Sequence, residues 1–354
     1  MYLAGRALAS VLGLNLSQAV ASLQDSQAPA ATYRARVGLD DVPYQRISGF
    51  DKFSGWNERA RALITQVVTD AGADQSRQGA LFIATSCQDG DVAESAESAG
   101  CDVDFHALSG RIGEWLGWTG PVFLISSACT SSMQALLSAA EWLGAGNASQ
   151  ALVLGVELDN HLTLSGFAAM QLLSPSRSKP FALERDGLVL GEAVAALYLS
   201  TEQIAPWQLL GGANVVDGIQ PNSACAAAVT QMYERAIAAS GRTAADVDLI
   251  KVQATGSRDN DASEAQGLRA AFADMPSLVS LKPLIGHCMG ASGAAEIALL
   301  LECLEQDCWP RYPDAVDPAL GVQLAIRPPM QTHCLLATIL GFGGSHTAVV
   351  LGRS

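Results

Sequence analysis

Basic residues are scarce in this sequence: 21 Lys and Arg stand against 35 Asp and Glu, a formal net charge of −14. Phosphate contacts need clustered Lys and Arg, so nucleic acid is excluded as a partner. An acidic partner would be repelled at long range unless the fold gathers a basic patch from the short run Arg177, Lys179, Arg185. Scattered in this way, those three also read as a solvated loop. No stretch of 18 uncharged apolar residues occurs, so no membrane-spanning helix and no membrane partner is expected. The eight cysteines (87, 101, 129, 225, 288, 303, 308, 334) include no CxxC pair and no zinc spacing, so no metal is expected. The opening MYLAGRALASVLG carries one Arg and no small-residue cleavage pattern, unlike a signal peptide. Free thiols within apolar runs suit a reducing cytoplasm, the expected location.

What is present is apolar. Hydrophobic residues make up 49% of 354 and the mean hydropathy is +0.22, which suits one large α/β unit or two fused halves. Short apolar runs at 80–85, 122–126, 151–157, 194–199, 249–254, 335–340 and 347–351 read as buried strands. Helical patterns lie between them. Met133, Leu136, Leu137, Ala140 and Leu143 fall on one helix face that Gly144-Ala-Gly-Asn147 ends, and 294–304 is apolar nearly all round, the pattern of a fully buried helix. A Pro-containing connector at 200–207 marks a seam, giving halves 1–200 and 201–354. No sequence repeat is legible between them.

Three stretches carry chemistry. Residues 122–133 read as a strand, a turn of small residues and a helix, with Cys129 at the helix N-terminus. The free amides and macrodipole of that terminus favour an anion, so a depressed thiol pKa and a nucleophilic role are expected. A buried core thiol is the alternative. Residues 281–296 place Lys282 and His287 in a Gly-rich turn that opens the apolar helix. There the neutral imidazole is favoured as a hydrogen-bond donor, and Lys282 and Glu296 can pair; otherwise His287 is a core histidine and Lys282 a surface residue. Residues 340–347 form a glycine turn between two strands, whose amides can meet a developing oxyanion or simply close a tight hairpin.

Together these stretches resemble the β-ketoacyl synthase family over essentially the whole chain. Ser127-Ala-Cys-Thr-Ser-Ser132 resembles its cysteine motif; Phe167–Ser174, Lys179-Pro-Phe and the stretch from Glu184 to Glu192 follow in order, then Lys282 with Gly286-His287, and Gly341-Phe-Gly-Gly344. The resemblance implies a thiolase-like fold in five layers, α-β-α-β-α, with two similar halves. It also implies a dimer and acyl transfer from the phosphopantetheine arm of an acyl carrier protein, with no tightly bound cofactor. By resemblance, Cys129 takes the acyl chain as a thioester. The amides of Cys129 and Phe342, beside Gly343 and Gly344, hold the oxyanion, and Phe342 gates the site. Phe167 lines the acyl pocket, His287 assists decarboxylation of the malonyl extender, and Lys282 with Glu296 supports it.

The chain departs from the family at its second active-site His, where Gln253-Ala-Thr-Gly-Ser places Thr255, and the stretch before Asp261 is shorter. Ser257 keeps one hydroxyl for the pantetheine arm. Of the five histidines, His346 is a candidate substitute, standing where the family has Asn. The stretch between Thr85 and Val122, a dimer and pocket-roof region in relatives, is also shortened. A Thr hydroxyl is no base near neutral pH, so condensation is expected to be impaired. The resemblance then implies a partner subunit like the chain-length factors of polyketide and aryl-polyene systems, heterodimeric with a competent ketosynthase. The alternatives are an atypical synthase or acyltransferase using Cys129 and His287, and a degradative thiolase. The thiolase fits less well, since no second cysteine stands in a matching C-terminal glycine turn.

Overall fold

The computed structural model describes residues 1–24, 33–37, 40–49, 55–73, 77–86, 105–219 and 223–354. Cys87, Cys101 and residues 87–104 of the shortened stretch lie outside them. The strands are β1 (Tyr2–Ser10), β2 (Tyr33–Val37), β3 (Asp40–Gln45), β4 (Ala80–Ala84), β5 (Val122–Ile125), β6 (Gln150–Glu157), β7 (Leu190–Gly191), β8 (Ala193–Ser200), β9 (Trp207–Val216), β10 (Leu249–Lys251), β11 (Ser277–Val279), β12 (Cys334–Leu340) and β13 (Ser345–Arg353). The helices are α1 (Leu16–Gln24), α2 (Trp56–Asp70), α3 (Phe105–Leu116), α4 (Ser131–Gly144), α5 (His161–Ala169), α6 (Ala226–Ala239), α7 (Arg258–Ala271), α8 (Lys282–Ile285) and α9 (Ser292–Glu305). None is long and apolar enough to cross a membrane.

Ten strands run in the order β11-β10-β12-β13-β9-β1-β8-β6-β4-β5. Cut between β9 and β1, each side holds five strands in the same order, the third of its half outermost and the first innermost. Directions repeat too. β4 is parallel to β5 and β6 while β8 is antiparallel to β6 and β1. β10 is parallel to β11 and β12 while β13 is antiparallel to β12 and β9. The two first strands meet only where Tyr2 faces Gln208. The chain is thus two copies of one topology, although no repeat is legible in its residues. Burial constrains only which positions are apolar, not which apolar residue fills them.

Strand alternation sorts the core into layers. On β8, Val194, Ala196 and Tyr198 join α2 and α3 in an outer cluster, while Ala193, Ala195, Leu197 and Leu199 face α4 and α9 at the centre. On β12 and β13, Leu335, Ala337, Ile339, Val349 and Leu351 face the same centre, and Leu336, Ala348 and Val350 face α6 and α7 outside. Three helix layers therefore enclose two sheet layers, the α-β-α-β-α arrangement. α9 is buried continuously from Ser292 to Leu301 and crosses α4 closely, since a Cβ at Gly293 would lie 2.4 Å from Met133 Cγ.

Two differences from the sequence reading have clear causes. The opening segment, to which the sequence reading assigned no strand, is β1, which pairs along its length with β8 and lies in the middle of the sheet. β10 stops at Lys251 rather than 254, because the amides of Gln253 and Ala254 turn away to the Glu264 carboxylate at 2.7 Å each. A small sheet, β2-β3-β7, lies beside the main one, and its β7 leads into the site.

Candidate active site

Cys129 stands on an elbow. β5 ends at Ile125, Ala128 adopts φ +52°, and α4 begins two residues beyond Cys129. A non-glycine residue in the left-handed region costs roughly 1–2 kcal/mol, so the turn must be held. Ser131 holds it: its hydroxyl accepts from the Ser127 amide at 2.9 Å and donates to the Ala128 carbonyl at 2.6 Å. The thiol is 2% exposed.

His287 comes from the equivalent place in the other half, after the third strand. Its amide donates to Val189 at 2.7 Å and its carbonyl accepts from Gly191 at 3.1 Å, which bolts the turn to β7. Gly286 makes this possible, with φ +72° and only 2.9 Å between an added Cβ and the Leu190 carbonyl. The imidazole Nε2 lies 3.0 Å from Cys129 Sγ, and Nδ1 lies 3.1 Å from Ser292 Oγ. Behind it, Glu296 joins two ammonium groups: Lys282 on one carboxylate oxygen and Lys251 on the other at 2.7 Å. Lys251 also donates to the Thr338 carbonyl at 2.5 Å. Lys282 is buried rather than on the surface.

The thiol is not a resting thiolate. Burial pushes Cys129 up to about 11, against the pull of Lys282, the Phe342 amide and its own amide. The depressed pKa expected from the helix terminus is therefore corrected, because desolvation in a dry site outweighs the terminal amides. Burial, then Lys282 and Lys251, holds His287 well below the usual histidine range. Burial and the neighbouring Lys282 lower Lys251 to about 8 even beside Glu296. The site rests as neutral thiol and neutral imidazole.

The glycine bend closes the site from the C-terminal side. Phe342 stacks on Phe167 of α5 with centroids 5.3 Å apart and planes 11° from parallel. Gly343 and Gly344 take φ +78° and +74°, and a Cβ on Gly344 would lie 2.0 Å from the Asp217 carbonyl. The amides of Phe342 and Cys129 both favour negative charge at the sulfur. That arrangement offers two donors to an oxyanion formed there.

Other candidates stand apart. Among the described contacts, the Thr255 hydroxyl accepts only from the Ser257 amide, at 3.4 Å, and touches neither Cys129 nor His287. Ser257 caps α7 by position, without a side-chain cap bond. His346 does not reach the thiol: like Ala348 and Val350 on β13, it faces the outer layer, where Nε2 meets Asp217 at 2.8 Å. Arg177, Lys179 and Arg185 form no free patch, being paired with Asp314, Asp186 and Asp317. Among the described residues, no three His, Cys, Asp or Glu side chains gather as a metal needs. Sequence reasoning missed Lys251, signalled by a lone cation in an apolar strand. It also missed Ser292, and Glu157, which accepts from Ser86 and Gly290 at 3.0 and 2.8 Å beside the elbow.

Comparisons with known proteins agree with this geometry. The family models "Beta-ketoacyl synthase, N-terminal domain" and "Beta-ketoacyl synthase, C-terminal domain" match residues 57–205 and 209–315, together well over half the chain. A non-reducing polyketide synthase of Aspergillus niger is 28% identical over 70% of this chain, and erythronolide synthase EryA2 of Saccharopolyspora erythraea is 35% identical over 58%. The chain spans only 10% and 6% of their lengths. It covers 48% of a chloroplastic 3-oxoacyl-[acyl-carrier-protein] synthase II of Arabidopsis thaliana, at 29% identity over 66% of this chain. A solved ketosynthase (ApeO) in complex with its chain length factor (ApeC), from Xenorhabdus doucetiae, superposes with TM-score 0.87 at 24% identity, covering 100% of this chain and 98% of that one. The ishigamide ketosynthase/chain length factor superposes with TM-score 0.84 at 18% identity, covering 99% of this chain and 98% of that one. At these identities the superpositions speak for the thiolase-like fold alone. Sequence and architecture point the same way, and the chain belongs to the β-ketoacyl synthase family.

Proposed function

We propose that this chain is the partner subunit of a ketosynthase heterodimer in a fatty-acid or polyketide type of assembly system, such as one making aryl polyenes. In this reading its own site keeps the acyl-transfer half of the family reaction and lacks decarboxylative condensation. The observation that carries it is the 3.0 Å contact between Cys129 Sγ and His287 Nε2, with no second imidazole joining them among the described contacts. In the retained half, the thiol proton passes to Nε2 as sulfur attacks the thioester on a carrier protein's phosphopantetheine arm. The oxyanion meets the amides of Cys129 and Phe342, then collapses to Cys129 thioester. The leaving pantetheine sulfur takes the proton from Nε2, so the imidazole ends neutral. Decarboxylation needs donors on the extender enolate, and losing one such donor typically costs about 10²–10³ in rate.

Further features favour a partner. β5 is the outer edge of the ten-stranded sheet, and Val122, Phe123, Leu124 and Ile125 are all half-buried there. An apolar edge strand left open invites pairing, and a second thiolase-like chain supplies a strand of matching character. Solved relatives include ketosynthases with their chain length factors, and one ketosynthase bound to its acyl carrier protein. Operation in a reducing cytoplasm keeps Cys129 a free thiol.

Intact mass spectrometry on the purified chain with acyl and malonyl carrier proteins tests this. The expected result is an acyl adduct that Cys129→Ala abolishes, and no release of carbon dioxide until a His-complete synthase is added and co-purifies. No adduct on Cys129 defeats the acyl-transfer part. Carbon dioxide release by the chain alone establishes instead the second reading, an atypical synthase, which the intact Cys129–His287 contact also favours.

A further inference from the structure

A cavity of about 330 Å³ shares Lys282 with the active site, but Cys129, His287, Phe167 and Phe342 do not line it. That volume suits a small organic ligand. Its walls are apolar and stiff, built from Pro180, Pro283, Pro313, Leu284 and the ring of Tyr312. The Tyr312 hydroxyl is fixed on the turn before α8, accepting from the Ser280 amide at 3.0 Å and donating to the Ser280 carbonyl at 2.9 Å. Walls of this kind lose little freedom when a ligand enters.

Three polar side chains of the lining are incompletely matched. Gln45 is 5% exposed, and its Oε1 is buried without a partner among the described residues. Lys282 is 1% exposed and carries three donors, of which one meets a described acceptor, Glu296. Arg311 is exposed and has no partner among the described residues. Arg177 is already paired with Asp314 at 2.6 Å, which leaves Arg311 as the unmatched charge of this lining in a chain of net charge −14. Buried donors and acceptors are normally matched, so the open ones mark what a ligand supplies. Inside, one hydroxyl serves both groups: it accepts from Lys282 Nζ and donates to Gln45 Oε1, whose terminal amide torsion is soft. At the mouth, a carboxylate matches the Arg311 guanidinium. We propose that this cavity binds a small aliphatic hydroxy acid, its hydroxyl inward between Gln45 and Lys282 and its carboxylate outward on Arg311. The chain between the two ends lies against the proline walls. Binding is non-covalent and rests on no part of the acyl-transfer reading.

Ligand-observed NMR titration of the full-length chain with ω-hydroxyhexanoate, hexanoate and the hexanediol carrying a hydroxyl at each end tests this. The hydroxy acid is expected to bind tightest. Losing either end, as in hexanoate or the diol, is expected to weaken binding by about tenfold, and Arg311→Glu by as much. Gln45→Met is expected to erase the preference for the hydroxy acid over hexanoate. Arg311→Glu changes an exposed side chain and should keep the wild-type melting temperature, so its result does not hinge on folding. Binding is expected to persist after Cys129 is blocked with iodoacetamide. No binding at about 10 mM, or equal affinity for the three compounds, overturns the proposal. So does indifference to Arg311→Glu, a preference that survives Gln45→Met, or loss of binding when Cys129 is blocked. None of these readouts involves a carrier protein, so the cavity stands or falls separately from acyl transfer.

Discussion

Replacing Glu296 with Gln removes one charge and almost no volume, and leaves two ammonium groups facing each other in a dry site. Lys251 and Lys282 are 0% and 1% exposed, and Glu296 is the carboxylate that joins them. Removing one partner of a buried pair typically costs about 3–5 kcal/mol. The lysines offer an independent check, because the cheapest escape is for one to give up its proton. From about 10.4 in the unfolded chain, deprotonation at pH 7 costs roughly 1.4 kcal/mol per unit, or about 4.6 kcal/mol. An unfolding entropy near 2.1 cal/mol/K per residue gives about 0.74 kcal/mol/K for a chain of this length, so the melting point should fall by about 4–7 °C. The sign with pH follows. Lys251, at about 8, is still charged in the folded wild type below that pH, whereas in the variant a lysine is already neutral when folded and charged when unfolded. Between about pH 6 and 8 the unfolded variant thus binds the extra proton, so its deficit shrinks as pH rises, by up to about 1.4 kcal/mol per unit. Calorimetry across that range measures both quantities. A fall below 1 °C, or a deficit that does not move with pH, refutes the buried triad.

Alkylation of Cys129 by iodoacetamide should accelerate steadily from pH 7 to 10, because burial pushes the thiol up to about 11. A plateau below pH 7 would reveal a thiolate–imidazolium pair instead. Gly344→Ala forces a Cβ to within 2.0 Å of the Asp217 carbonyl at φ +74°, and should lower stability by about 1–3 kcal/mol in urea titration. It should also slow acylation, since the Phe342 amide shifts with the bend; a variant of wild-type stability would show that the turn is slack. Thr255→His is expected to raise carbon dioxide release from malonyl carrier protein by about 10²-fold if the missing imidazole is the main deficiency. No gain would locate the deficiency in the path of the loop.

Much of the fold was written in apolar runs. The strands β4, β5, β6, β8, β12 and β13 and the buried helix α9 stand where apolar periodicity and turn residues put them. β1 and β9 escaped because Gly5, Gly211 and Gly212 interrupt their apolar pattern; each glycine admits a neighbouring backbone within 3 Å of where a Cβ would be. Lys251 lies inside a strand run where the sequence shows no role for it, since only the folded pairing shows that Glu296 reaches it. His346 turned out to face the wrong layer for a reason of parity. Thr347, Val349 and Leu351 look inward, so an even-numbered neighbour looks outward. The thiol's pKa was misjudged because a helix terminus is visible in sequence and the depth of burial is not.

The duplicated topology explains why the architecture does not depend on the side chain at position 255. Cys129 and His287 follow the third strand of each half, and the central helices α4 and α9 bring those two turns face to face. Thr255 follows the second strand of its half, where four successive amides are held by buried carboxylates. Gln253 and Ala254 donate to Glu264, and Thr255 and Gly256 donate to Asp261. That loop is fixed through its backbone, so the side chain at 255 contributes almost nothing to its shape. An imidazole there would be a chemical requirement and not a structural one, since the loop's shape rests on its backbone amides. The elbow is different in kind: Ala128 is strained, Ser131 restrains it, and Glu157 ties Ser86 to the turn after His287. A chain free of all selection for chemistry has no reason to keep Cys129 and a neutral His287 in 3.0 Å contact on so constrained a turn. A guarded elbow beside a second position without an imidazole is the arrangement that the proposed reading, a subunit that accepts acyl groups without condensing them, rests on.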